Sequence, residues 1–207
     1  MKTLLAALCA SSLISLAPYA RAASSTDLTV TGVITPVACT PSVSNGGKID
    51  IGKVLVKDLN QNSSTQVGFH QLAFAVACNS ATLFAINAID NRAGTSSSPA
   101  PAFFGLGMTA ADEKVGYFEP AGGSIQADGQ AAQLIVSRNN GDTWSSTKRI
   151  ASDALTSISF ISGTTPIAVK NLSMFLYVTT YVAPANGLTL KDDTPMDGSA
   201  TFEMKYL

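Results

Sequence analysis

The chain has little charge and few histidines, tryptophans or cysteines. Of its 207 residues only 13% are charged, with 13 basic and 14 acidic groups and a formal net charge of −1. Nucleic-acid binding needs a basic surface that counterions can leave, and this chain has none to offer. Intrinsic disorder is excluded as well, because it goes with low hydrophobicity and high net charge, whereas 46% of these residues are hydrophobic. A single histidine, His70, and three cysteines without a CxxC pair supply no metal-ligand set. No GxSxG elbow accompanies His70, so a strand histidine is the expected reading and a Ser-His-Asp triad is not. After the first 17 residues no apolar run is long enough to span a bilayer. Ser and Thr, by contrast, number 43, so hydroxyls more than charges keep the surface wet. Sparse charge with abundant Ser, Thr, Ala and Gly points to an exported β-rich protein.

The N-terminus has the layout of a secretory leader. Lys2 gives a positive start, Leu4 to Ala17 is apolar, Pro18 breaks the run, and Ala20-Arg21-Ala22 places small residues at −3 and −1. Residues 1–22 are therefore read as a signal peptide cleaved before Ala23. Removing them takes away Lys2, Arg21 and Cys9. The mature chain then has 185 residues, 11 basic and 14 acidic groups, and two cysteines. In an oxidising compartment Cys39 and Cys78 allow one intrachain pairing. Two free thiols are the alternative. A bridge there would close a loop of about 40 residues and stabilise the fold by roughly 4 kcal/mol.

The dominant period is two, the signature of strands. Leu28, Val30, Gly32 and Ile34 alternate with Asp27, Thr29, Thr31 and Val33; Leu72, Phe74, Val76 and Cys78 form a second run. Leu134 and Val136, then Ile158 and Phe160, give shorter ones. Asn171 to Val182 is the longest, with Leu172, Met174, Leu176 and Val178 on one side and Phe175, Tyr177 and Tyr181 on the other. Ala200, Phe202, Met204 and Tyr206 alternate with Thr201, Glu203 and Lys205. Turn-rich segments separate these runs, including 44–47, 91–102, 120–129, 139–142 and 184–187. Ala110 to Lys114 is read as one helical turn at most. The pattern predicts one all-β domain, a sandwich or barrel.

Both ends of the mature chain resemble subunits of chaperone–usher pili. Val30-Thr31-Gly32-Val33-Ile34, with Cys39 seven residues after Gly32, is similar to their N-terminal donor segment and first cysteine. Phe202-Glu203-Met204-Lys205-Tyr206-Leu207 is similar to their C-terminal strand with its penultimate tyrosine. Phe104-Gly105-Leu106-Gly107 and Lys114-Val115-Gly116-Tyr117 look like a divergent branch of such proteins, encoded in fimbrial operons and catalogued mostly as a family of unknown function. Two features depart from the family: its glycine upstream of the tyrosine has no clean counterpart, because Gly198 is too near and Gly187 too far, and the mature chain is somewhat longer than a simple major pilin, with the extra length in the loops near 91–102 and 119–130.

The resemblance implies an immunoglobulin-like sandwich that lacks its last strand until another chain supplies it. It divides the chain into the leader 1–22, an N-terminal extension 23–35 as candidate donor strand, and a pilin-like sandwich over 36–207. Leu28, Val30 and Ile34 would be the donor knobs and Gly32 the point of close backbone approach. Phe202, Met204 and Tyr206 would line the groove, and the Leu207 carboxylate would meet a chaperone. The implied partners are a periplasmic pilus chaperone, an outer-membrane usher and neighbouring subunits, with export to a surface fimbrium.

The expected function is thus a non-enzymatic structural subunit, with no cofactor, that assembles by donor-strand exchange and contributes to adhesion. The alternative is a self-contained periplasmic or surface binding module with an adhesin-like role, carrying its own last strand. Other candidates are weaker. Gly105-Leu106-Gly107 with Ala110 half-matches a dinucleotide fingerprint but lacks the strand–helix unit around it. Asp192-Asp193 and Asp112-Glu113 lack calcium-loop spacing. Trp144, in a turn-flanked stretch, is read as a loop anchor before a sugar-stacking platform.

Overall fold

The computed structural model describes residues 26, 28–31 and 38–207. The chain divides into two compact units, Met1–Thr35 and Pro36–Leu207. In the first, residues 28–31 form no strand, and Leu28 and Val30 are 89% and 87% exposed. Gly32, Ile34 and the leader 1–22 lie outside the described residues.

The second unit contains ten strands: β1 (Cys39–Val43), β2 (Thr65–Thr82), β3 (Phe84–Asp90), β4 (Phe104–Gly105), β5 (Gly116–Ala127), β6 (Gln130–Ser137), β7 (Ser145–Thr147), β8 (Leu155–Phe160), β9 (Val169–Val182) and β10 (Ala200–Tyr206). Eight of them form one hydrogen-bonded path, β1-β2-β9-β5-β6-β8-β3-β10, with β4 on β5 and β7 on β6 beside it. Every ladder along the path is antiparallel. The two ends of the path approach each other, where the Cys39 N–H donates to the Tyr206 hydroxyl at 2.9 Å. The result is an almost fully closed antiparallel barrel of eight strands.

This corrects the immunoglobulin-like sandwich lacking its last strand. Such a sandwich needs two facing sheets and a vacant strand position. Here a single sheet curls round, and the chain's own C-terminal strand is in place: β10 pairs with β3 from Ala200↔Asp90 to Tyr206↔Phe84. Near-closure leaves only the edges of β1 and β10, which face each other across the seam.

Alternation explains which side chains point inward. Leu72, Phe74, Val76 and Cys78 from β2, Phe84 and Ile86 from β3, Leu134 from β6, Ile158 from β8, and Leu172, Met174 and Leu176 from β9 form the buried core. At Leu83 the chain leaves the β2–β9 ladder and continues as β3 beside β8 and β10, so one long extended stretch serves two parts of the wall. Cys39 and Cys78 lie directly opposite in the β1–β2 ladder and form a disulfide.

One local expectation changes. Residues 120–129, read as a turn, mostly belong to β5, because Gly122 and Gly123 serve close packing there. A Cβ on Gly122 would come 2.6 Å from Leu134 Cδ1, and one on Gly123 would come 2.5 Å from the Tyr177 ring. The turn is confined to Asp128-Gly129, both at positive φ. Residues 110–114 hold a single hydrogen-bonded turn, closed by the Asp112 N–H to the Thr109 carbonyl at 3.1 Å, and the bridge Met108↔Lys114, within the one turn at most that the sequence predicts.

Candidate binding cleft

A cleft of about 680 Å³ opens beside the seam between β1 and β10. Its walls are inward residues of β2, β9 and β10, notably Phe74, Val178 and Phe202, with Ile49 and Ile51 from the segment after β1. The Phe74 and Phe202 rings meet edge to face, 5.8 Å apart at 87°, a favoured arrangement. Among the described residues no charged side chain lines the cleft; its polar lining consists of hydroxyls such as Ser42, Thr180 and Thr201, together with peptide groups. A space of this size and polarity suits an uncharged, mainly apolar ligand.

One end of the cleft is bounded by residues 188–199, a segment without helix or strand that leads into β10. Met196, Gly198 and Ser199 line the cleft from this strap. Its first anchor is the Glu113 carboxylate, which accepts from the Thr189 N–H at 2.6 Å, the Thr189 hydroxyl at 2.7 Å and the Thr109 hydroxyl at 2.9 Å. The Thr189 amide, followed by its hydroxyl, holds the Glu113 carboxyl below its ordinary value. The second anchor is Arg92, whose Nε donates to Asp197 Oδ2 at 3.0 Å. Gly198 is packed so closely that a Cβ would lie 2.8 Å from Leu106 and 2.9 Å from Phe118.

The residues singled out from sequence fall as follows. Phe202 and Met204 are partly buried against the core, and Phe202 also lines the cleft. Tyr206 is 48% exposed at the seam and Leu207 is half-exposed, with its N–H donating to the Leu83 carbonyl at 3.2 Å. All four therefore complete the chain's own barrel, which overturns donor-strand exchange as the mechanism and the fimbrial, chaperone–usher reading built on it. His70 sits in β2 with a buried Nδ1 that has no hydrogen-bond partner, so no carboxylate orients it. Among the described residues no group of three His, Cys, Asp or Glu could hold a metal ion, and no helix is long and apolar enough to cross a membrane.

The strap, the hydroxyl lining and Ile49 and Ile51 had no visible signal in the sequence. The aromatic side of β9 did, and it forms an outer row. Phe103 stacks on Tyr117 at 4.4 Å, and Tyr117 on Tyr181 at 5.0 Å. Phe69, 59% exposed, stacks on Tyr177 at 5.6 Å. Burial pushes the Tyr117 phenol up, and the neighbouring Tyr181 adds to that. These rings spend their faces on one another, which leaves mainly edges for a ligand.

A nearly closed antiparallel barrel with an uncharged internal cleft is the class that fold and site define. A family described as a protein of unknown function (DUF1120) matches residues 28–102. Two proteins of Escherichia coli (strain K12) are similar along almost the whole chain. Protein GltF is 27% identical over 245 aligned residues, covering 98% of this chain and 96% of its own. Uncharacterized protein YhcF is 27% identical over 223, covering 91% and 93%. The match to Protein GltF is long enough to run through most of residues 1–22 as well as the barrel. Delivery to a surface fimbrium draws no support from these matches.

Proposed function

We propose that the protein is a self-contained, non-enzymatic binding module of the periplasm whose cleft beside the β1–β10 seam takes an uncharged, mainly apolar ligand. The observation that carries this reading is the cleft itself, about 680 Å³ without a charged side chain. The exposed apolar lining is small, so the gain on burial exceeds the cost of lost motion by only a few kcal/mol, suited to reversible capture.

The test uses mature protein, residues 23–207, purified from the periplasm without a co-expressed partner. It is expected to accumulate as a monomer with one cooperative melt. The uncharged dye N-phenyl-1-naphthylamine is then expected to bind saturably, at one per chain. Ser42→Lys, at an exposed position on the cleft wall, places a charge in the mouth and weakens binding about tenfold or more. A chain that is insoluble without a partner overturns the self-contained reading. Absent dye binding, or binding equal in the lysine variant, overturns the cleft.

A further inference from the structure

We propose that the loop between β6 and β7 carries a second, shallow subsite, for a neutral sugar ring stacked on Trp144. The inference does not use the cleft. A pocket of about 270 Å³ lies here, floored by Val136 and lined by Arg138, Asn139, Thr143, Trp144 and Ser145. It lies just below the usual range of ligand sites and suits one ring more than a drug-sized molecule.

The loop is built to hold the indole in place without using it for folding. Trp144 belongs to neither buried core cluster. Its Nε1–H donates within its own loop, to the Gly141 carbonyl at 2.9 Å. Gly141 has φ +104°, and its nearest neighbour for a Cβ is the Trp144 ring at 3.8 Å, so the backbone turns sharply beneath the indole. Asn139 stiffens the turn: its Oδ1 accepts from the Ser137 hydroxyl at 2.8 Å and the Thr143 N–H at 3.0 Å, and its Nδ2 donates to the Thr143 hydroxyl at 2.8 Å. A half-buried indole, with its polar atom satisfied and its position fixed, offers a flat apolar face at small entropic cost.

The polar groups define the ligand class. Arg138 is paired with Asp153, and Lys205 donates to Asn140 Oδ1 at 2.6 Å. Among the described residues lining the pocket, no unpaired cation remains to select an anion. Donors of Arg138 instead stand beside acceptors of Asp153 and the hydroxyls of Thr143 and Ser145. Hydroxyl groups need donors and acceptors together, and a pyranose adds an apolar C–H face for the indole.

Trp144 is the sole tryptophan of the chain, so its fluorescence reports on this site alone. The mature protein is titrated with methyl pyranosides of glucose, galactose, mannose and N-acetylglucosamine, with N-acetylneuraminic acid as the anionic comparison. At least one neutral pyranoside is expected to shift the emission saturably, with no such shift in free N-acetyltryptophanamide. Arg138→Ala weakens that binding about five- to tenfold. Calorimetry on Trp144→Phe, which keeps a flat ring, still detects weakened binding. Silence from every neutral sugar, a response to the acidic sugar alone, or equal affinity in Arg138→Ala overturns the proposal. Should Arg138→Ala melt lower than the parent, Ser145→Ala, at an exposed position, asks the same question with the same two answers.

Discussion

The Cys39 N–H donates to the Tyr206 hydroxyl at 2.9 Å, across 167 residues of sequence, and ties the first strand of the barrel to the last. The same cysteine is bonded to Cys78 on the neighbouring strand β2. Strand β1 is therefore held on one side by a covalent bond and on the other, across the seam, by one phenol. Tyr206→Phe removes the acceptor and is expected to cost about 1 kcal/mol, a fall of roughly 2–4 °C in Tm for a chain of this size. Thermal unfolding of the mature protein measures it. An unchanged Tm means that the seam needs no phenol.

The disulfide is a larger element. Its partners are 39 residues apart, and restraining a loop of that length in the unfolded chain contributes about 4 kcal/mol. Replacing both cysteines by alanine, read by urea unfolding, is expected to remove most of that. A loss under about 1 kcal/mol would mean that the β1–β2 ladder alone restrains this segment.

Two glycines separate packing from flexibility. At Gly116 a Cβ would fall on the Tyr181 carbonyl oxygen and 3.0 Å from Val182 Cα, which is backbone and cannot swing aside. Gly116→Ala is expected to destabilise by about 2 kcal/mol or more. At Gly187 nothing lies within 4 Å of the same atom, and Gly187→Ala is expected to stay within about 0.5 kcal/mol. Comparing the two melts checks the placement of β5 against β9.

The strap is expected to respond to acid. The Thr189 amide and hydroxyl hold Glu113 below its ordinary value of 4.5. A carboxyl depressed in the folded state contributes stability that is present above that ordinary value and is lost as pH falls through the depressed one. The Thr189 amide resonance is expected to follow this titration, with a midpoint below 4.5, and its hydrogen exchange to lose protection beneath it. Glu113→Gln abolishes the dependence. A midpoint at or above 4.5 would mean that the anchor is absent in solution.

Several features were legible from residue order alone. The alternation through Leu72–Cys78 and Leu172–Val178 set which side chains face inward, because side chains on a strand alternate strictly between its two faces. That pattern holds whichever strands become neighbours, so the all-β class and much of the core could be read directly. The Cys39–Cys78 pairing rests on equally local chemistry, two cysteines left in the chain once residues 1–22 are set aside.

Only the tertiary structure decided how the strands join. Alternation gives the face of each strand but not its neighbour, and pairings such as β3 with β10 connect residues more than a hundred positions apart. The C-terminal run Ala200–Tyr206 reads equally well as the rim of an open groove and as the closing strand of a barrel; the ladder to β3 and the Tyr206 bond to Cys39 made it the latter. Residues 120–129 show the same limit, since glycine that permits a turn and glycine that admits a neighbouring ring are spelled identically. The cleft arose last. Its lining comes from β1 and the segment after it, Leu106, β2, β5, β9, β10 and the strap, and a cavity drawn from so many distant segments has no local signature in the chain.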